Sequence, residues 1–133
     1  MYSFKSNLDL YLDTMTFEDL GLSKWLVKTL SDCAITSPTD VQSATMQPTL
    51  EGRDILACSK TGSGKTAAFA LPILEKLAED PYGVFCVVLT PTRELALQIS
   101  EQFKLFGKGM NVRVELVTGG MDSTTQSVSL TQV

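Results

Sequence analysis

The chain has 133 residues, of which 44% are hydrophobic and 20% charged, with a formal net charge of −4 at pH 7. That balance excludes a disordered polymer and predicts one soluble globular domain with a core of ordinary size. No apolar run approaches the ~18 residues that suggest a membrane span, and the negative charge argues against a surface coated with basic groups for nucleic acid, though not against a small local site.

Residues 1–15 read as a flexible extension: aromatic and aliphatic residues are scattered among polar ones, and Met15 would serve equally well as a start. One early lysine without an uninterrupted apolar stretch argues against a secretory signal. Ser23 suits an N-cap, and Leu26, Val27 and Leu30 recur at helical spacing as far as Cys33, with Trp25 at the edge of that helix. Pro38 fits the first turn of a second helix carried by Val41, Ala44, Thr45 and Pro48 to Leu50. After a turn at Glu51-Gly52-Arg53, Asp54 to Cys58 reads as an apolar strand. Ser59-Lys60-Thr61-Gly62-Ser63-Gly64 is a loop of mostly small residues, and Lys65-Thr66 opens a helix through Leu71, Ile73, Leu74 and Leu77.

Strand, glycine loop and helix in succession are what a phosphate cradle requires. Glycines let backbone N–H groups converge on an anion, and a helix N-terminus adds unpaired donors and partial positive charge. Lys65 would then reach the β- and γ-phosphates, and the Thr66 hydroxyl would ligate Mg²⁺. The P-loop pattern asks for glycine six positions before the lysine, where this chain has Ser59. A small residue still permits the turn, so Ser59 marks a subtype.

Asp80-Pro81-Tyr82-Gly83 is a turn by composition. Val84 to Leu89 is a near-continuous apolar run, read as a strand buried on both faces. Arg93 to Phe106 is a helix with Leu95, Ala96, Ile99, Phe103 and Phe106 on one side, broken at Gly107, Gly109 and Asn111. Val112 to Val117 alternates as a third strand, Thr118-Gly119-Gly120 ends it, and a last helix lies within Met121 to Val133. Alternating strands and helices predict an α/β fold, a parallel sheet with helices on both faces, whose ligand sits beyond the strand ends. Loops 59–64, 90–93 and 118–121 all follow strands. Cys33, Cys58 and Cys86, without histidine or a close cysteine pair, are expected to be buried free thiols in an intracellular reducing compartment.

Together these stretches resemble the DEAD-box ATP-dependent RNA helicases of superfamily 2. Ser59 to Thr66 looks like that family's motif I, in which a small residue commonly replaces the first glycine. Pro38 to Gln42, with Phe17 25 residues before Gln42, looks like the Q motif. Pro91-Thr92-Arg93-Glu94-Leu95-Ala96 is similar to motif Ia, and Gly119-Gly120 to the glycine doublet. The resemblance implies an incomplete RecA-like P-loop domain over residues 16–133 that binds ATP and Mg²⁺. Gln42 would read adenine, since a carboxamide offers both a donor and an acceptor. Phe17 would pack near the base, and Ile35, standing where the family usually has an aromatic ring, would cover its face. Pro91, Thr92, Arg93, Gly119 and Gly120 would meet the sugar-phosphate backbone of RNA, without reading sequence. By residue type alone, Gln42 equally suits a helix surface, Arg93 and Glu94 a structural ion pair, and the glycines a plain turn.

Glu51-Gly52-Arg53-Asp54 and Asp80 to Gly83 further resemble the branch acting in nucleolar ribosomal-RNA processing. That implies a nuclear location and protein partners in pre-ribosomal complexes. The family's Thr-Pro-Gly-Arg, Asp-Glu-Ala-Asp and Ser-Ala-Thr motifs and its second RecA-like domain do not occur in these residues. Water attack on ATP needs a carboxylate to help hold Mg²⁺, a group to orient the water and usually an arginine. A whole helicase is therefore expected to hydrolyse ATP and unwind local RNA duplexes, and this portion to bind ATP without turnover. Two other readings stand beside it: a non-catalytic nucleotide- or RNA-binding module from a truncated gene product, and a small-molecule kinase, for which no acidic metal ligand is found.

Overall fold

The computed structural model describes residues 15–120 and 123–131. The expected flexible extension lies outside the described residues except for Met15, which is partly buried against the core. Residues 121, 122, 132 and 133 of the last expected helix are outside them as well.

Among the described residues five α-helices follow in order: α1 over Lys24–Asp32, α2 over Asp40–Leu50, α3 over Lys65–Glu79, α4 over Arg93–Phe106 and α5 over Ser123–Thr131. A 3₁₀ turn at Gly107–Met110 follows α4 and stops at Asn111, whose left-handed φ of 55° ends the helical path. Ser23 precedes α1 and Thr92 precedes α4, each as N-cap. The cap of α2 is Thr39, so Pro38 stands just outside the helix and not in its first turn. Pro72 lies within α3 and is buried, so the helix tolerates a missing N–H there under the cover of its packed face.

The helices hold the core. α3 packs on α2 and on α4, and α1 packs on the 3₁₀ turn and α4. Leu26 and Leu30 of α1, Met46 of α2, Leu71 and Leu74 of α3 and Phe103 of α4 meet there. The Phe69 and Phe103 rings add a tilted pair across α3 and α4, with centroids 6.1 Å apart. A turn at residues 16–20 delivers Phe17 and Leu20 to the same core. It is closed by Thr16, whose Oγ1 and N donate to Asp19 Oδ2 at 2.7 and 2.9 Å, and those bonds hold the Asp19 carboxyl below the usual carboxylate range. Ser23 ties α1 to α3: its N and Oγ both donate to Glu75 Oε2 at 2.9 Å, which sets a carboxylate at the positive end of α1.

The predicted sheet is corrected. Among the described residues no stretch forms a strand, although Asp54 to Cys58, Val84 to Leu89 and Val112 to Val117 fall where the three were expected. Ladder bonds join neighbouring strands, and among the described residues these runs form none. Their side chains show the consequence. Leu56, Val87 and Leu89 are exposed, whereas an apolar run buried on both faces would hide them. The third run keeps its alternation without a ladder: Val112 and Val114 rest on the core, while Arg113 and Glu115 face outward and pair at 3.0 Å. The thiol expectation changes with the sheet. All three cysteines are free, but Cys58 and Cys86 are exposed and only Cys33 is partly covered.

Alkylation tests this arrangement. Under native conditions Cys58 and Cys86 are both expected to be labelled by iodoacetamide, Cys58 close to the rate of an unfolded reference and Cys86 more slowly because partial desolvation raises its thiol pKa, with Cys33 slower than Cys58. Peptide mass mapping that found Cys58 and Cys86 protected would contradict the exposure of their two runs.

Candidate nucleotide and RNA site

The loop at 59–64 is shaped by two glycines in the left-handed region, Gly62 at φ 76° and Gly64 at φ 85°. Gly64 is the N-cap of α3, and the first intrahelical bond runs from Ala68 N to Gly64 O at 3.0 Å. The amides of Lys65, Thr66 and Ala67 therefore have no partner within the helix and point toward the loop. Lys65 folds back over that loop, its Nζ donating to the carbonyls of Ser59 and Lys60 at 2.6 Å each. The Ser59 and Ser63 hydroxyls pair at 2.6 Å across the turn. Lys60, Thr61 and Gly62 are exposed, and Ser59, Ser63, Gly64, Lys65 and Thr66 are half-buried. Unpaired helix amides, two left-handed glycines and one ammonium within reach fit a polyphosphate. Thr66 places a hydroxyl beside them at the start of the same helix.

Gln42 is tied to this loop. Its Nε2 donates to Gly64 O at 3.1 Å, and its Oε1 accepts from Thr39 N at 3.0 Å. The side chain is 3% exposed. Each carboxamide atom thus holds a backbone partner, leaving one lone pair and one N–H unassigned. Thr39 adds a parallel tie, its Oγ1 donating to Ser63 O at 2.8 Å. Sequence reasoning missed Thr39, yet Thr39-Asp40-Val41-Gln42 carries a signal. A threonine followed three residues later by glutamine is the pattern in which the third side chain reaches back to the cap N–H.

Phe17 is placed in the hydrophobic core at 2% exposure, and Ile35 is partly buried against that core. Neither is brought onto the loop by a described contact. The expected RNA residues form a second cluster. Pro91, Thr92, Arg93, Gly119 and Gly120 are all exposed. Thr92 Oγ1 accepts from Leu95 N at 3.3 Å, which caps α4 and leaves the hydroxyl proton free to donate outward. The Arg93 guanidinium lies over Gly120, whose φ is 80°; a Cβ built there would stand 2.8 Å from Arg93 Nη2. The arginine and the glycine doublet, 27 positions apart in the chain, thus meet at one point.

The likeness to solved helicase domains supports an α/β P-loop fold for this path of the chain. A family model described as DEAD/DEAH box helicase matches residues 39–133. The chain belongs to the DEAD/DEAH box helicase family. It is 55% identical over 116 residues to "Probable ATP-dependent RNA helicase DDX49" of Homo sapiens, covering 87% of this chain and 24% of that protein. It is 53% identical over 117 residues to "ATP-dependent RNA helicase dbp8" of Schizosaccharomyces pombe, covering 88% and 26%. The chain therefore spans about a quarter of the length of the curated relatives it matches. Among solved structures, a DEAD box protein from the hyperthermophile Methanococcus jannaschii superposes with a TM-score of 0.81 at 33% identity, over 87% of this chain and 32% of that one. The RNA-helicase Prp28 from Chaetomium thermophilum bound to ADP gives 0.75 at 34% identity, over 85% and 29%.

Gly64 is the most sensitive position in the loop. A methyl group there would overlap Gln42 Nε2 and crowd Thr39 Oγ1, at a φ that an L-residue rarely adopts. Gly64→Ala is expected to lower the unfolding free energy by about 1–3 kcal/mol. Gly62→Ala, strained in φ but facing open space, should cost less; denaturant melts of the two variants measure the difference.

Proposed function

We propose that this chain is the ATP- and RNA-contacting amino-terminal portion of an ATP-dependent RNA helicase. The observation that carries the reading is the double tie from α2 to the loop, Gln42 to Gly64 and Thr39 to Ser63. It joins the stretch resembling an adenine-reading motif to the stretch suited to phosphate, so that base and phosphates would be held by one connected unit. The relatives' names as ATP-dependent RNA helicases support the same assignment.

In this reading Lys65 exchanges two neutral carbonyls for the charged oxygens of the β- and γ-phosphates, which are stronger acceptors for an ammonium. Thr66 offers its hydroxyl to Mg²⁺. The amides of residues 62–66 face the phosphate chain, and Gln42 uses its remaining donor and acceptor on adenine. Bound ATP with Mg²⁺ supplies the phosphoryl-transfer chemistry. The water-orienting and charge-stabilising groups are expected from outside these 133 residues, so this portion binds and the whole protein hydrolyses. RNA lies along Thr92, Arg93 and the Gly119-Gly120 loop through its phosphates, which makes its binding nonspecific and salt-sensitive. Turns 51–54 and 80–83 favour the nucleolar ribosomal-RNA branch, with a nuclear location and pre-ribosomal protein partners.

Calorimetric titration with nucleotides tests the assignment. The chain is expected to bind ATP in preference to GTP. Lys65→Ala should weaken ATP by about tenfold or more, in line with loss of a charge-assisted contact, and should leave adenosine little changed. Gln42→Ala should erase the preference for ATP over GTP. Equal affinity of the unsubstituted chain for the two nucleotides would sink the adenine assignment, and a Lys65→Ala variant with undiminished ATP affinity would sink the phosphate site.

A further inference from the structure

The loop at 118–120 is held by a residue that neither the motifs nor the spacing singled out. Gln126, in α5, turns its carboxamide onto the Thr118 peptide. Its Oε1 accepts from Thr118 N at 2.8 Å, and its Nε2 donates to Thr118 O at 3.3 Å. One side chain thus meets both backbone polar groups of one residue, as a neighbouring strand would. That residue matters because of where it lies. Thr118 ends the 112–117 run, which forms no strand ladder among the described residues, and stands immediately before Gly119-Gly120.

Two consecutive glycines are the least constrained backbone a chain can have, and fixing them costs more conformational entropy than fixing any other pair. Among the described residues, nothing lies within 4 Å of where a Cβ of Gly119 would be. The far end of the loop is Gly120, under the Arg93 guanidinium. The near end is the Thr118 peptide in the grip of Gln126. Val128 and Leu130 of α5 stand 49% and 40% exposed, so burial of those side chains does not seat the helix; the carboxamide links it to the loop.

We propose that Gln126 is a positioning residue for the RNA phosphate site: by clamping the Thr118 peptide it holds Gly119-Gly120 against Arg93 in the geometry that receives a phosphate. The inference rests on the reading of residues 91–93 and 119–120 as an RNA backbone site. Gln126 itself touches no RNA in this scheme. Its effect is to remove, before binding, the disorder that a phosphate would otherwise have to quench in a glycine pair.

The test uses Gln126→Met, which keeps the length of the side chain and removes both polar atoms. Amide hydrogen exchange, anisotropy of a fluorescein-labelled oligouridylate and a nucleotide titration are measured on the same preparations. Exchange at Thr118 to Gly120 is expected to quicken about tenfold, and RNA affinity to fall about fivefold, the loss that goes with one or two hydrogen bonds. ATP affinity should stay within about twofold, a split that general loss of structure would not produce. Gln126→Glu keeps the acceptor for the Thr118 N–H and loses the donor. It should fall between the two, and it carries the test should the methionine variant not fold. Unchanged exchange at Thr118 to Gly120 overturns the clamp. If the unsubstituted chain binds the oligonucleotide and Gln126→Met binds it equally well, the proposal falls alone. If the unsubstituted chain does not bind it, the RNA reading falls and takes the proposal with it.

Discussion

The carbonyl oxygen of Gly64 is the point on which the arrangement depends. It accepts the first helical bond of α3, from Ala68 N, and also the Gln42 Nε2 bond from α2. A carbonyl has two lone pairs, and here each has its own donor. The geometry is available only because residue 64 has no side chain and a left-handed φ: a methyl would occupy the space of the Gln42 amide. Gln42 is almost fully buried, so depriving it of this partner would leave a polar group without water, a penalty of about 1–3 kcal/mol. One shared acceptor therefore ties α2, the start of α3 and the 59–64 loop together.

Around that junction the helices bury each other while the apolar runs between them stay open. Helix faces can be covered by the next helix in the chain, because i, i+3 and i+4 side chains form a stripe that needs only one partner surface. An apolar run shaped for the interior of a parallel sheet needs neighbours on both edges and cover on both faces. The runs at 54–58 and 84–89 have neither, and their exposure of Leu56, Val87 and Leu89 leaves an apolar surface suited to strand pairing. The superposition on solved DEAD-box structures shows that the path of the chain is already that of the α/β fold without the ladder bonds.

The cluster proposed to meet RNA follows a different logic. Its three parts come from separate elements: Arg93 from the start of α4, Gly120 from the loop after the third run, and Gln126 from α5. A net charge of −4 provides no general attraction for a polyanion, so any affinity must be local. A guanidinium above a bare glycine backbone, held at one end by a carboxamide, would make a small and directional anion site, in keeping with the proposed contacts that position a strand without reading its sequence.

How much of this was legible beforehand varies with the range of the interaction. α1 begins at the cap read from Ser23, and α4 runs from Arg93 to Phe106 as expected, because apolar spacing, N-caps and glycine stops act within a few residues. The left-handed glycines ahead of Lys65-Thr66 are local too, and with them the shape of the cradle. Family membership was also within reach, since four short motifs in order carry it. Phe17 lay beyond such reasoning: an aromatic residue at that spacing is compatible with a base contact, and only the packed structure sends it into the core. The cysteines were misjudged for the same reason, as their burial was inferred from a sheet whose pairing lies between segments far apart. Gln126 has no local pattern that would mark it. By itself the sequence determined the helices, the loop conformation and the chemical groups available. The tertiary structure decided which of those groups are already engaged with one another, because a hydrogen bond between residues 22 or 8 positions apart depends on how the intervening chain folds back, and no nearest-neighbour preference encodes that.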